Sequence, residues 1–229
     1  MTIHDMQNLN RETVAYISTV IQPGMTLHNV RTLCEEFMLA HGADSFWYWD
    51  VGAFVFHGED TILSVSGRQY KTADTVIASD DIITIDLSPQ RNNVWGDFAR
   101  TVVLEEGVII TDPRKIRNVQ WREGLLMEER LHEAMRSFVS LDTTFEELFF
   151  YINDVIRDNG YVNLDFLGNL GHSIVSEKNK RIYIEKGNKS KLSEVEAFTF
   201  EPHICLLRGR YGYKMENIYT FEGNKLIAL

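Results

Sequence analysis

Five segments of this chain place an acidic or imidazole side chain where a β-strand would bury it: Ile85-Asp86-Leu87, Gly96-Asp97-Phe98, Gly171-His172-Ser173, Phe200-Glu201-Pro202 and Met215-Glu216-Asn217. Most lie in runs rich in β-branched and aromatic residues, such as Ile82–Leu87 and Ala197–Glu201, that read as strands. A carboxylate buried in a strand-built core is costly unless a partner neutralises it, so the fold must bring these groups together and supply opposite charge. Four carboxylates and one imidazole in one place make a cage of hard oxygen donors with a single nitrogen, suited to a pair of divalent metal ions. Taken singly, Asp86 before Leu87-Ser88-Pro89 and Asp97 beside Gly96 read as turn aspartates, and His172 as a loop histidine. Glu201 and Glu216 are harder to place without a partner, because strand interiors disfavour an unpaired glutamate.

The order and spacing resemble the pita-bread metallopeptidases: methionine aminopeptidase, aminopeptidase P, prolidase and creatinase. Ten residues separate Asp86, at the end of the hydrophobic run Asp81–Asp86, from Asp97 in Trp95-Gly96-Asp97-Phe98-Ala99-Arg100-Thr101. The family's Gly-His turn is matched by Gly171-His172-Ser173-Ile174, its Glu-Pro dipeptide by Glu201-Pro202, and its basic-x-Glu strand by Lys214-Met215-Glu216. The resemblance covers roughly residues 45 to 221. It implies an α+β pita-bread fold, in which two similar halves pack a curved antiparallel sheet, with helices outside and metals in a central crevice. It also implies roles. Asp86 chelates one metal, Asp97 and Glu216 bridge both, and His172 and Glu201 complete the second site. Glu201 additionally takes a proton from water and passes it to the leaving amine. Two divalent ions are implied, Mn²⁺ first, with Fe²⁺, Co²⁺ and Zn²⁺ as alternatives.

Departures from the family pattern bear on the substrate. Where the family carries a histidine 17 or 18 residues before the first Asp, this chain reads Val65-Ser66-Gly67-Arg68-Gln69-Tyr70. A second family histidine, about seven residues after the Gly-His turn, is replaced by Glu177-Lys178-Asn179-Lys180. His57 and His203 are the candidates to stand in, against plain readings as an edge-of-strand and a packing histidine. Trp47, Tyr48, Trp49 and Trp95 are candidates for an apolar pocket wall or for core. The basic run Lys178, Lys180, Arg181, Lys186, Lys189 and Lys191 reads as a solvated loop or as a guide for an acidic substrate terminus. The first functional expectation is a dinuclear metallohydrolase acting on a small peptide, as an aminopeptidase or dipeptidase with Xaa-Pro-type preference. The alternatives are an enzyme acting on a non-peptide C–N bond and a non-catalytic binding module on the same fold.

The remainder of the sequence sets the frame. No Pro/Gly/Ser-rich linker, charge block or short repeat divides the 229 residues, so one catalytic domain over 1–229 is expected, without the additional N-terminal domain of larger relatives. A net charge of −10 argues against a nucleic-acid partner. Cys34 and Cys205 make no disulfide framework, the N-terminus is too polar for a signal peptide, and no apolar run is long enough to span a bilayer. A cytoplasmic location follows as the default, and the resemblance implies a homodimer. Helices are expected over about 9–21, 26–41, 113–139 (Pro113 in its first turn) and from a Thr143–Glu146 capping box to 156. Strands are expected within 46–56, 61–65, 82–87, 98–104, 181–184, 197–201 and 211–221.

Overall fold

The computed structural model describes all 229 residues. Four helices form its outer layer: α1 (Ile3–Val20), α2 (Leu27–Ala40), α3 (Val119–Phe138) and α4 (Phe145–Asp158). Each starts at a side-chain cap. Thr2 with Asp5, Thr26 with Asn29 and Thr144 with Glu147 make reciprocal boxes, and Asn118 accepts from the Trp121 N–H. The Thr2 box explains why α1 begins well before Leu9. The box on α4 lies one residue later than Thr143–Glu146, and Glu146 accepts from the Gly187 N–H instead. Pro113 opens a separate 3-10 turn, Pro113–Lys115, so α3 starts only at Val119.

The first half is an antiparallel sheet of Ala53–His57, Asp81–Leu87, Phe98–Glu105 and Val108–Ile110, in that order. α1 and α2 pack on it through Met6, Ile17, Val30 and Met38 against Ile83 and Ile85. The second half repeats the plan with Lys225–Ala228, Asn217–Glu222, Ala197–Phe200 and Ser173–Ile174. A smaller sheet of Gly212–Lys214, His203–Leu206 and Tyr161–Asn163 adjoins it, and α3 and α4 cover both, Leu131, Phe145 and Ile152 sharing a core with Phe198 and Tyr213 of the strands. This is the α+β layering the sequence implies. No helix is long and apolar enough to cross a membrane.

The halves join along one seam. The Glu216 N–H donates to the Ala99 carbonyl (3.0 Å) and the Lys214 N–H to Thr101 Oγ1 (2.8 Å). The Arg100 guanidinium fastens it, donating to the Glu216 carbonyl and to Asn217 Oδ1 (both 2.6 Å) while lying 3.8 Å from the Phe98 ring centroid.

Some expected strands are broken, each for a local reason. Trp49 and Asp50 adopt left-handed φ of 58° and 57°, splitting the 46–56 run into Ser45–Phe46 and Ala53–His57. The expected 61–65 strand does not form: Thr61 and Ile62 belong to a 3-10 turn, Gly58–Ile62, in which the Thr61 hydroxyl donates to the Gly58 carbonyl, and 63–65 are irregular. Residues 181–184 make only an isolated bridge between Tyr183 and His172. The 211–221 run divides into Gly212–Lys214 and Asn217–Glu222, and the break sets Met215 and Glu216 on the seam.

Candidate metal centre

Strand period places the first ligand. In Asp81–Leu87, Ile83, Ile85 and Leu87 pack toward α1 and α2, so Thr84 and Asp86 point the other way, into the crevice. Asp97 is delivered by Gly96, against which α1 lies directly. A Cβ there would fall 2.7 Å from Met6 Cγ and 2.8 Å from Asn10 Nδ2. Gln7 Nε2 then donates to the Asp97 carbonyl at 3.1 Å. Gly171 has φ +134°, and a Cβ on it would sit 2.3 Å from the Thr199 carbonyl oxygen, so only glycine lets the histidine turn lie on the Ala197–Phe200 strand. The His172 N–H donates to Thr199 Oγ1 (2.9 Å), and that hydroxyl donates on to Glu201 Oε1 (3.2 Å). His172 Nδ1–H donates to the Ser173 carbonyl (3.2 Å), which turns the Nε2 lone pair toward the carboxylates. Nε2 lies 3.4 Å from Asp97 Oδ2 and 3.8 Å from Glu201 Oε1.

All five sequence-derived donors therefore converge. Ligand atoms of Asp86, Asp97 and Glu216 lie within 4.8 Å of one another. Glu216 is 0% exposed, and neither of its carboxylate oxygens has a hydrogen-bond partner. The one ammonium facing the cage is Lys214, whose Nζ contacts Asp86 Oδ2 at 2.6 Å and Glu201 Oε2 at 3.1 Å. Four carboxylates against one ammonium leave the centre short of positive charge. Burial raises the Asp97 pKa to about 7, and burial followed by the charges of Asp97 and Glu201 drives Glu216 well above the carboxylate range. Burial also raises Asp86, against the pull of Lys214. Glu201 differs. Burial would raise it too, but Lys214 and then His172 outweigh that and hold it below its ordinary value. Orphaned buried oxygens, like-charge crowding and a correctly turned imidazole together fit a site for divalent cations.

A cavity of about 280 Å³ opens from this cage. Trp47, Tyr48, Phe54 and Phe56 form its aromatic wall, with Asp165, Arg181 and Tyr183 also facing it. Trp95 lies behind that wall, 4.4 Å from Trp47 and 5.8 Å from His172 between ring centroids, and Trp49 is 59% exposed outside it. His203 does line the cavity, but its Nε2–H is committed to the Thr61 carbonyl (2.7 Å), and burial lowers its pKa to about 4, so it stands there neutral. His57 is not among the cavity residues. Its Nδ1 bonds Asp81 Oδ2 at 2.8 Å, the edge-of-strand role. Of the basic run only Arg181 joins the cavity, its guanidinium carbon 4.6 Å from the Trp47 ring centroid.

Two charged cavity residues escape the sequence reading. Lys214 enters there only as context for Glu216, although two-residue spacing on a strand puts both on one face. Asp165 carries no sequence signal. It accepts from Ser64 Oγ, and burial, with Glu201 nearby, raises its pKa to about 6.

Comparisons with known proteins agree with this fold. The chain is similar in structure to an X-Pro aminopeptidase from Thermotoga maritima (TM-score 0.81, 22% identity, 99% of this chain and 59% of that one). It is similar also to the prolidase from Pyrococcus furiosus (0.79, 20%, 99% and 61%) and to a methionine aminopeptidase from Thermotoga maritima (0.75, 15%, 99% and 94%). It thus spans about three-fifths of the length of the first two and nearly all of the third. No curated protein sequence matches it. The family model of metallopeptidase family M24 matches residues 2–222, and with its five donors gathered at the seam of a pita-bread fold the chain belongs to that family.

Proposed function

We propose that this chain is a dinuclear metal-dependent hydrolase of small peptides, a dipeptidase or aminopeptidase with Xaa-Pro-type preference. The observation that carries the reading is Glu216, sealed from water with both oxygens unpartnered, beside Asp86 and Asp97. Asp86, Asp97 and Glu216 would hold one ion, and Asp97, His172, Glu201 and Glu216 the other. Bound divalent cations supply Lewis acidity there, acidifying water and polarising the peptide carbonyl. Glu201 is the residue to move the proton, because Lys214 and His172 keep its carboxylate ionised while Thr199 fixes its orientation. At about 280 Å³ the cavity falls near the small end of ligand pockets (~300–1,000 Å³), which favours a short substrate. Arg181 pairs with no carboxylate; its Nε–H donates to the Lys178 carbonyl (2.8 Å) and its plane rests on Trp47. It is placed to receive the free carboxylate of a dipeptide, and the aromatic wall to receive a proline ring. The similarity to an X-Pro aminopeptidase and a prolidase supports the same preference.

The test is hydrolysis of a peptide panel with Xaa-Pro and Met-Xaa N-termini by Mn²⁺-loaded protein, followed by mass spectrometry. Cleavage confined to Xaa-Pro, with KM for dipeptides raised about tenfold or more in Arg181→Ala and unchanged for C-terminally amidated ones, is the expected result. A fully metallated protein that cleaves nothing would turn the reading to a non-peptide C–N substrate.

A further inference from the structure

No hydrogen bond reaches either carboxylate oxygen of Glu216, so placing that side chain falls to the main chain that carries it. That main chain lies in the gap between two strands, Gly212–Lys214 and Asn217–Glu222. Met215 makes only an isolated antiparallel bridge to Arg100. The bonds of that bridge come from its neighbours, the Glu216 N–H donating to Ala99 and the Thr101 hydroxyl to the Lys214 carbonyl (3.3 Å). The N–H and C=O of Met215 itself therefore point the other way, toward α3. Buried main-chain groups without a ladder partner need one from elsewhere. α3 supplies both from side chains one turn apart: the Glu128 carboxylate faces the Met215 N–H, and His132 Nε2 lies 3.0 Å from the Met215 carbonyl.

A carbonyl only accepts, so Nε2 carries the ring proton and Nδ1 is left as an acceptor. The Tyr219 hydroxyl donates to it at 2.7 Å, from the strand that follows Glu216. Burial lowers the His132 pKa to about 3, so the ring stays neutral and keeps one donor and one acceptor. The ring also meets Phe200, the residue before Glu201, edge-on with centroids 4.9 Å apart. His132 is thus wedged between the chain segments that carry Glu201 and Glu216. The first half has a counterpart. Gln7, buried on α1, donates to the Asp97 carbonyl and is itself held by Asn10 Nδ2 at 2.6 Å.

We propose that His132 is a positioning residue of the metal centre: its bond to the Met215 carbonyl holds the Glu216 carboxylate in place for a divalent cation. The inference rests on the reading of the cage as a metal site. Asp86, Asp97 and Glu201 crowd Glu216 with like charge, which pushes its side chain outward until a cation arrives. A main chain pinned from α3 resists that push, so less reorganisation opposes binding. His132 does not line the cavity beside the cage, and it acts there only through the main chain of Met215 and Glu216.

The experiment is Mn²⁺ titration calorimetry on the full-length, metal-stripped chain, with a melting curve of each metal-free variant. His132→Leu, which keeps bulk but donates nothing to Met215, should weaken Mn²⁺ binding about 10–100-fold. His132→Gln, whose amide N–H can reach the same carbonyl, should recover most of that loss even where its Tm does not recover. Ile152→Val, on α4 in the same core, lowers Tm without touching Met215 and should leave Mn²⁺ affinity at the wild-type value. Tyr219→Phe removes the donor at Nδ1 and should weaken binding in the same direction by a smaller factor. Unchanged affinity in folded His132→Leu, or in Tyr219→Phe where the leucine variant does not fold, overturns the proposal and leaves His132 as packing. Equal losses in the Leu and Gln variants overturn it as well, because donation to Met215 would then be immaterial. A wild type that takes up no Mn²⁺ is a different failure: it removes the metal-centre reading itself, and the role of His132 falls with it.

Discussion

Glu105, at the end of the Phe98–Glu105 strand, and Glu216, on the seam, are carboxylates 5% and 0% exposed, and they have opposite surroundings. Glu105 accepts from the Arg117 N–H at 2.9 and 3.0 Å, from the Asn118 N–H at 2.8 Å and from Arg117 Nε at 3.3 Å. Burial raises its pKa, but those donors outweigh it and hold the group below its ordinary value. Glu216 has no donor at either oxygen, and its pKa is driven far upward. Exposed area does not separate the two; Glu216 lies deeper in the protein and lacks the N–H groups that Glu105 receives. A carboxylate that the backbone satisfies belongs to the fold, where it ties a loop to a strand. One that the protein leaves unsatisfied is kept for a cation from outside. Asp81, which accepts from the Ala78 and Ile82 N–H groups and from His57, sorts with Glu105.

The largest effect that would break this comparison is in Glu216→Gln. On the proposed reading it abolishes tight metal uptake and lowers hydrolysis by on the order of 10³-fold or more. The metal-free variant should melt at or above the wild-type temperature, since an unpaired buried carboxylate has been removed. Calorimetry with and without Mn²⁺, with metal analysis of the same samples, reads both quantities. Glu105→Gln should do the reverse. Weakened acceptors for Arg117 and Asn118 cost about 1–3 kcal/mol, while metal stoichiometry and turnover of the folded protein stay as they were. If Glu216→Gln proved the destabilised protein and kept its metal, donor supply would not be the property that distinguishes these residues.

The ligands were legible because each sits in a short segment whose neighbours declare a strand or a glycine turn. Period two puts Asp86 opposite Ile85, and Gly96 and Gly171 announce the close approaches that deliver Asp97 and His172. The helices were legible by their apolar spacing, with boundaries shifted wherever a cap such as Thr2 or Thr144 won over the neighbouring candidate. What the sequence hid was pairing between distant segments. Nothing near Lys214 says that its ammonium meets Asp86. The 61–65 segment reads as a strand because Thr61 and its apolar neighbours favour one. Its actual shape depends on the partners it serves, since the Thr61 carbonyl and hydroxyl receive His203 Nε2–H and the Gly212 N–H. The same holds for the two candidate histidines, alike in sequence and separated only by where the fold puts them.

His57 offers the smallest effect and the sharpest check on the comparison. Asp81 would keep its two backbone donors in His57→Ala and lose only the imidazole bond of 2.8 Å. A carboxylate with two of three partners intact should cost about 0.5–1.5 kcal/mol, a fall in Tm of roughly 1–6 °C for a chain of this size. Because His57 is absent from the cavity lining, kcat/KM should be unchanged at temperatures where the variant is folded. Parallel melting curves and peptide hydrolysis decide the point. Turnover lost at an unchanged Tm would mean that His57 reaches the substrate, and Asp81 would then be orienting a catalytic imidazole. A carboxylate well supplied with donors would in that case serve the chemistry, and donor supply would no longer mark which buried acids belong to the fold alone.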